Sequence, residues 1–198
     1  MNNCIESNEK RCDKRELPRS RLRMKNKQIT PRDNEILMRE HDFIVSKTDT
    51  KGRIIYGNKI FIEFSGYTEE ELLGSQHNII RHPDMPRAVF KLLWDTVKEG
   101  DEIFAFVKNM TKDGSFYWVF ANVTPDRDSH GNVSGYFSVR RMPNPSAVTA
   151  VQQLYQQMLD EEKKAGPKQA IEASTKLLMD FLNNKGVSYE EFVIDLQG

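Results

Sequence analysis

Cysteine is nearly missing from this 198-residue chain: Cys4 and Cys12 are the only two, both in a polar leader. They form no Cys-x-x-Cys pair, so spacing supports no zinc site, no thioredoxin-type dithiol and no Cys-x-x-Cys-His haem attachment. Long apolar runs are absent too. None approaches the ~20 residues of a membrane helix, and no apolar segment of secretory type opens the chain. A reducing cytoplasm is the simplest compartment for such a sequence. There is no Gly-x-Gly-x-x-Gly, which removes the dinucleotide-binding βαβ unit. Nor is there a catalytic triad, a metal-ligand cluster or a pair of carboxylates, so no enzyme activity is expected.

Charge is balanced overall but not along the chain. Residues 1–32 hold ten Lys/Arg against four Asp/Glu, and the remainder carries the compensating negative excess. Few large apolar residues accompany Arg11, Lys14, Arg15, Arg19, Arg21, Arg23, Lys25 and Lys27. The segment therefore predicts a disordered basic arm. Aromatic residues do not interleave these charges, so no specific nucleic-acid binding is expected of it. The 38% hydrophobic content allows one core, of a size suited to a domain of about 100–150 residues.

The middle of the chain alternates short β-rich and helical runs. Residues 42–47 and 53–56 predict strands joined by a Gly-closed turn, a hairpin. Residues 58–64 and 68–73 predict short helices, the second opened by a Thr68/Glu71 capping box. Residues 86–98 predict a longer helix closed by Gly100. Strands are expected at 103–110, 116–123 and 132–140, joined by short turns. Sequential strands of this kind favour an antiparallel sheet and an α+β fold. Pro143 and Pro145 end the domain. Beyond them, Val148, Val151, Leu154, Tyr155 and Met158 fall at helical spacing, and a second helical stretch covers 168–183 after Gly166-Pro167. Three units follow: a basic arm (1–32), a central domain (33–142) and a helical extension (145–198). The extension predicts a helical hairpin, a dimerisation element or a flank packed on the sheet.

The densest polar cluster is His77-Asn78-Ile79-Ile80-Arg81-His82-Pro83-Asp84-Met85-Pro86. Two prolines stiffen it. Asp84 followed by Pro86 and then the spacing Val89, Leu92, Leu93 reads as a helix start, with Asp84 in the capping region. Free backbone N–H groups there, with Arg81 beside them, predict a seat for phosphate.

From Asp42 to Met142 the chain resembles a PAS domain, and more narrowly the flavin-binding PAS module of bacterial aerotaxis receptors. The likeness rests on Gly57-Asn58-Lys59-Ile60-Phe61, Phe64-Ser65-Gly66-Tyr67-Thr68 with Glu71-Leu72 and Gly74, and His77-Asn78 with the run 81–86. It continues through Phe90, Trp94, Gly100, Val107-Lys108-Asn109, Lys112-Asp113-Gly114, Tyr117-Trp118-Val119, Ala121-Asn122 and Gly135-Tyr136. Those receptors continue through a membrane anchor, a HAMP segment and a signalling helix, none of which is seen here. Lone-PAS CetB-type energy-taxis proteins, which work with a separate membrane-bound transducer, are the most similar class.

The resemblance implies a five-stranded antiparallel PAS sheet with short helices on one face, followed here by C-terminal helices. It also implies bound FAD, with Arg81, His82 and Asp84 needed to retain it and Asn58, Phe90, Trp94 and Asn109 near it. Arg81 would fork onto pyrophosphate, His82 would donate to phosphate or ribose, and Trp94 or Trp118 would stack on a ring. Asp84 would touch the cofactor or hold His82 and Arg81. Asn58 would face the cofactor or simply cap its helix. The expected function is a cytoplasmic redox or energy-taxis sensor that signals to a chemotaxis transducer. Two alternatives stay open: a cofactor-free PAS pairing module, with a homodimer through the PAS domain or the C-terminal helices, and a haem sensor with His77 or His82 as axial ligand.

Overall fold

Alternating side chains build a sheet that is buried on both faces. The computed structural model describes residues 29–198. Five strands, β1 (Ile44–Asp49), β2 (Ile54–Gly57), β3 (Ile103–Met110), β4 (Phe116–Arg127) and β5 (Val133–Arg141), form one sheet in the order β2-β1-β5-β4-β3. Every adjacent pair is antiparallel. The expected α+β PAS architecture is what the chain adopts. β4 and β5 each run past their predicted ends.

One face carries α1 (Lys59–Ser65), α2 (Glu69–Leu72), a 3-10 turn (His77–Ile80) and α3 (Arg87–Glu99). Their ends follow local chemistry. The Asn58 side chain accepts from the Phe61 N–H and caps α1, and the Thr68/Glu71 capping box opens α2. Gly100, with φ of 101°, closes α3 in the left-handed region that glycine adopts without strain.

The opposite face is covered by the C-terminal helices α4 (Pro145–Lys185) and α5 (Tyr189–Gln197). Gly166, at φ 72° and ψ 172°, breaks α4 immediately before Pro167. The chain folds back there, since Ser174 Oγ donates to Glu162 Oε1 at 2.8 Å while twelve residues of unbroken helix would span about 18 Å. Val151, Leu154, Tyr155 and Met158 from the first half, Leu178 and Leu182 from the second and Val193 of α5 join one core with Phe106, Trp118 and Phe120 of the sheet. The extension thus packs as a flank on the sheet and contains a hairpin bend. No described helix is long and apolar enough to cross a membrane.

The chain's approach to β1 is pinned to the β3–β4 turn. The Arg32 N–H donates to the Gly114 carbonyl at 2.8 Å, and the Phe116 N–H to the Asn34 carbonyl at 2.9 Å. A Cβ at Gly114 would lie 2.3 Å from the Thr30 carbonyl oxygen, so glycine alone fits. Of the basic arm expected over 1–32, residues 1–28 lie outside the described residues, while 29–32 lie along this turn.

One hydrogen bond ties the extension to the sheet edge. The Tyr155 hydroxyl donates to the Phe106 carbonyl of edge strand β3 at 2.9 Å in a buried setting. Tyr155→Phe leaves that carbonyl unpaired and is expected to cost about 1 kcal/mol. The check is a lower urea midpoint at unchanged denaturant slope.

Candidate functional site

The concave face of the sheet carries polar residues where a plain core would carry apolar ones. In β1, Ile44, Ser46 and Thr48 point inward. Cross-strand pairing sets them beside Arg140, Ser138 and Tyr136 of β5. The next strands contribute small or apolar neighbours: Ala121 pairs with Arg140 and Val123 with Ser138, and Ala105 pairs with Ala121. Small side chains opposite a layer of short helices leave space. The resulting cavity holds about 380 Å³, within the range of small-molecule sites.

Its lining divides by chemistry. Leu93, Trp94, Val107, Val123 and Tyr136 make an apolar slot, while Ser46, His77, Asn109, Ser138 and Arg140 offer polar groups within it. Trp94 stands edge-on to Tyr136, with ring centroids 5.3 Å apart. Asn109 is 4% exposed, and its backbone bridges to Arg81. Arg81 stands at the rim, its guanidinium 4.2 Å from the centroid of Phe90 and donating to the Met85 carbonyl at 3.1 Å. Arg87 and Lys91 of α3, and Ile171 of α4, also reach the opening.

His77 is held inside. Its ring stacks on Phe61 at 6.0 Å between centroids, and Nε2 lies 3.2 Å from Ser46 Oγ and 3.2 Å from an Arg140 nitrogen. Burial first, and the neighbouring Arg140 charge second, push His77 down to about 3. It is therefore neutral at pH 7, and Nε2 serves as an acceptor toward the guanidinium.

The expected site residues separate on this geometry. Arg81, Phe90, Trp94, Asn109 and His77 line the cavity. Asn58, His82 and Asp84 are not among its lining residues. Asn58 spends its side chain on the α1 cap, on the Val45 N–H at 3.1 Å and on the Phe43 carbonyl at 2.8 Å. His82 is 2% exposed, and its Nδ1 accepts from the Asp84 N–H at 3.1 Å. Burial is the main reason its ring is pushed down to about 4, aided by Lys108. Asp84 pairs with Lys108 at 2.8 Å. Both residues shape the turn before α3. Trp118 belongs to the opposite face, 6.3 Å from Tyr155 between ring centroids. Alternation in β4 puts Trp118 and Val119 on opposite sides, which is why only one face of that strand meets the cavity.

The predicted phosphate seat at the start of α3 is also corrected. Asp84 does not cap this helix; Pro86 is its N-cap and makes no side-chain cap bond. The first amides are taken by a carboxylate from far along the chain. Glu162 Oε1 accepts from the Arg87 N–H at 2.7 Å and from the Ala88 N–H at 3.4 Å. A carboxylate at a helix N-terminus satisfies otherwise unpaired donors and the dipole together. A second cavity of about 400 Å³ adjoins this point, lined by Arg81, Arg87, Glu162, Lys163 and Pro167 among others.

Sequence reasoning missed Ser46, Ser138 and Arg140. A signal for them exists: each is a polar residue at an inward position of a period-2 strand, where a buried face should be apolar.

Two predictions follow from these charges. Both imidazoles are buried neutral, against an ordinary value of 6.5. Their contribution to stability is fully present above pH 6.5 and is lost as pH falls toward about 4 and about 3. Between pH 6 and 4 the unfolded state binds the extra protons, so stability should fall by about 1.4 kcal/mol per pH unit for each ring. Urea midpoints across this range should fall steeply, and His82→Gln should remove about half of that slope. Glu162→Ala strands two amides and the Ser174 hydroxyl and is expected to cost about 1–3 kcal/mol. Glu162→Gln keeps an acceptor and should cost less, with hydrogen exchange at residues 87 and 88 accelerated chiefly in the alanine variant.

The comparisons with known proteins agree with this geometry. A family model described as PAS fold matches residues 54–140. Over 112 residues the chain is 43% identical to the aerotaxis receptor of Escherichia coli (strain K12), covering 57% of this chain and 22% of the receptor. It is 27% identical over 97 residues to a nitrogen fixation regulatory protein of Klebsiella oxytoca, covering 49% of this chain and 20% of that protein. The chain thus spans less than a quarter of the length of these relatives. A solved light-oxygen-voltage domain, studied through a flavin analogue, superposes with a TM-score of 0.50 at 22% identity, over 58% of this chain and 86% of that one, a likeness that bears on the fold alone. Strand order, the helical layer over the cavity and the aligned sequence together show that this chain contains a PAS domain, similar in sequence to that of the aerotaxis receptor.

Proposed function

We propose that this protein is a cytoplasmic redox sensor that binds FAD in the cavity and relays its state to a separate membrane-bound chemotaxis transducer. The observation that carries the proposal is the cavity itself: an apolar slot against Trp94 and Tyr136, with an amide and a guanidinium buried inside and further cations at the rim. That donor set suits a flavin, whose ring needs an apolar slot and whose polar edge needs hydrogen-bond partners. FAD is favoured over a shorter flavin by the second cavity, which shares Arg81 and Arg87 with the first and adds Lys163. With the α3 amides held by Glu162, a pyrophosphate would be bound by side-chain cations, and Arg81 would fork onto it.

When bound, the flavin supplies reversible electron uptake coupled to protonation. The chain's own residues do the sensing. Asn109 can offer either the N–H or the C=O of its amide to the ring edge, so it can follow a reversal of hydrogen-bonding sense. α3 lines the cavity, and its first amides are held by Glu162 of α4. A shift of α3 would therefore reach the C-terminal helices, biasing a two-state surface that a partner reads. No substrate turnover is needed for this role.

A cofactor-free pairing module is the second reading, favoured by the exposed apolar residues Phe43, Ile55 and Tyr56 around edge strand β2. A homodimer would then form through this PAS edge or through the C-terminal helices, where Ile171, Met179 and Ile194 are exposed. A haem reading is weakened because Nε2 of His77 already faces the Arg140 cation at 3.2 Å.

The deciding experiment is the visible spectrum of the purified full chain, followed by denaturation and identification of what is released. A two-banded yellow spectrum releasing FAD is expected. Arg81→Ala should weaken FAD retention about tenfold or more, on the order of 1.4 kcal/mol. A folded, colourless protein that takes up no added FAD would move the function to pairing, and an intense Soret band would move it to haem.

A further inference from the structure

The strongest unexplained feature of the cavity is a buried guanidinium with no anion beside it. Arg140 is 2% exposed. Its Nε donates to Ser138 Oγ at 3.0 Å, and one terminal nitrogen contacts Ser46 Oγ and lies 3.2 Å from His77 Nε2. The other terminal nitrogen, Nη1, is buried without any partner. Phe61 lies under the group at 5.1 Å to the ring centroid. Among the described residues no carboxylate forms an ion pair with it, although eleven such pairs exist elsewhere. All the nearby partners are neutral: two hydroxyls, an imidazole held uncharged, and an aromatic ring. Burial pushes Arg140 down to about 10, with Tyr117 acting in the opposite sense. It therefore remains a full cation at neutral pH.

An unpaired buried charge is among the costliest features a core can hold. Here it lines a cavity that is otherwise mainly apolar. Arg81, by contrast, is at the rim and already has the Met85 carbonyl and the Phe90 ring. Arg140 is thus the cation whose missing partner belongs inside the cavity.

We propose that Arg140 is the anion-recognising residue of this cavity and would bind the reduced, anionic flavin more tightly than the oxidised one. This rests on the flavin reading above. Uptake of two electrons from a reductant such as dithionite and of one proton from water would leave the ring with one negative charge, shared over its N1/C2=O edge. Arg140 supplies the countercharge in place and transfers no proton itself. Charge near N1 is one of the levers by which a protein sets a flavin's potential, and differential affinity for the two states is what moves that potential. Ser46, Ser138 and His77 act as positioning residues that hold the guanidinium by its other nitrogens.

The test is a redox titration of the full-length holoprotein with dithionite as reductant and a reference dye, on wild type, Arg140→Met and Arg140→Lys. Loss of the charge should weaken binding of reduced FAD at least tenfold relative to oxidised FAD. That lowers the two-electron midpoint by about 30 mV or more. Arg140→Lys should lie nearer wild type. The apo form of Arg140→Met should melt at or above the wild-type temperature, because it no longer buries an unpaired charge. An Arg140→Met protein that keeps its flavin at an unchanged midpoint overturns the proposal while leaving the flavin reading intact. Loss of flavin from Arg140→Met with no fall in apo melting temperature supports a direct contact. Loss of flavin together with a lower melting temperature, in both variants, overturns it in favour of a structural role. A wild-type protein that takes up no FAD in either oxidation state sinks the flavin reading and this proposal with it.

Discussion

Burial of both sheet faces is the constraint from which the rest follows. All of β4 from Phe116 to Ala121 is buried, so each residue there must either pack or line a cavity. One face meets Tyr155, Met158 and the other apolar residues of the C-terminal helices and is filled. The other meets short helices whose caps and turns fix their path but not a close fit to the sheet. With Ala105 and Ala121 at its centre, that face cannot be filled by its own side chains, and the slot results. A well-packed outer face gives the rigidity on which a preorganised inner face depends.

The C-terminal helices do more than shield the sheet. Glu162 reaches across to the start of α3 and takes the donors that a ligand phosphate would otherwise seek. The same carboxylate accepts from Ser174 beyond the bend at Gly166, so one group joins both halves of α4 to a wall of the cavity. Coupling between a ligand and a distant surface requires such a contiguous element. The contact also reassigns the cations around it, leaving Arg81, Arg87 and Lys163 as side-chain charges beside the second cavity.

Charge inside the cavity is arranged at the expense of stability. His77 is kept neutral by burial and by Arg140, and Arg140 has no counterion among the described residues. Natural cores place such groups where function requires them. The polar turn before α3 works differently. The Asp84 N–H goes to His82 and the Asp84 carboxylate to Lys108, and neither His82 nor Asp84 lines the cavity.

Much of this protein is legible in its sequence. The hairpin of β1 and β2, the Thr68/Glu71 capping box, the end of α3 at Gly100 and the break at Gly166-Pro167 all depend on neighbouring residues, and short-range chemistry suffices to find them. The resemblance marks the motif residues Arg81, Phe90, Trp94, Asn109 and His77, and the fold brings them to one cavity. The sequence by itself therefore determined the element order, the sheet class and the segment that builds the cavity. Only the tertiary structure decided which polar groups are satisfied. Asn58, His82 and Asp84 find partners away from the cavity, Glu162 occupies the helix start from 75 residues away, and Arg140 finds no anion among the described residues. The physical reason is that a side chain's partner is set by long-range packing, and local propensity carries no information about which groups that packing leaves unpaired.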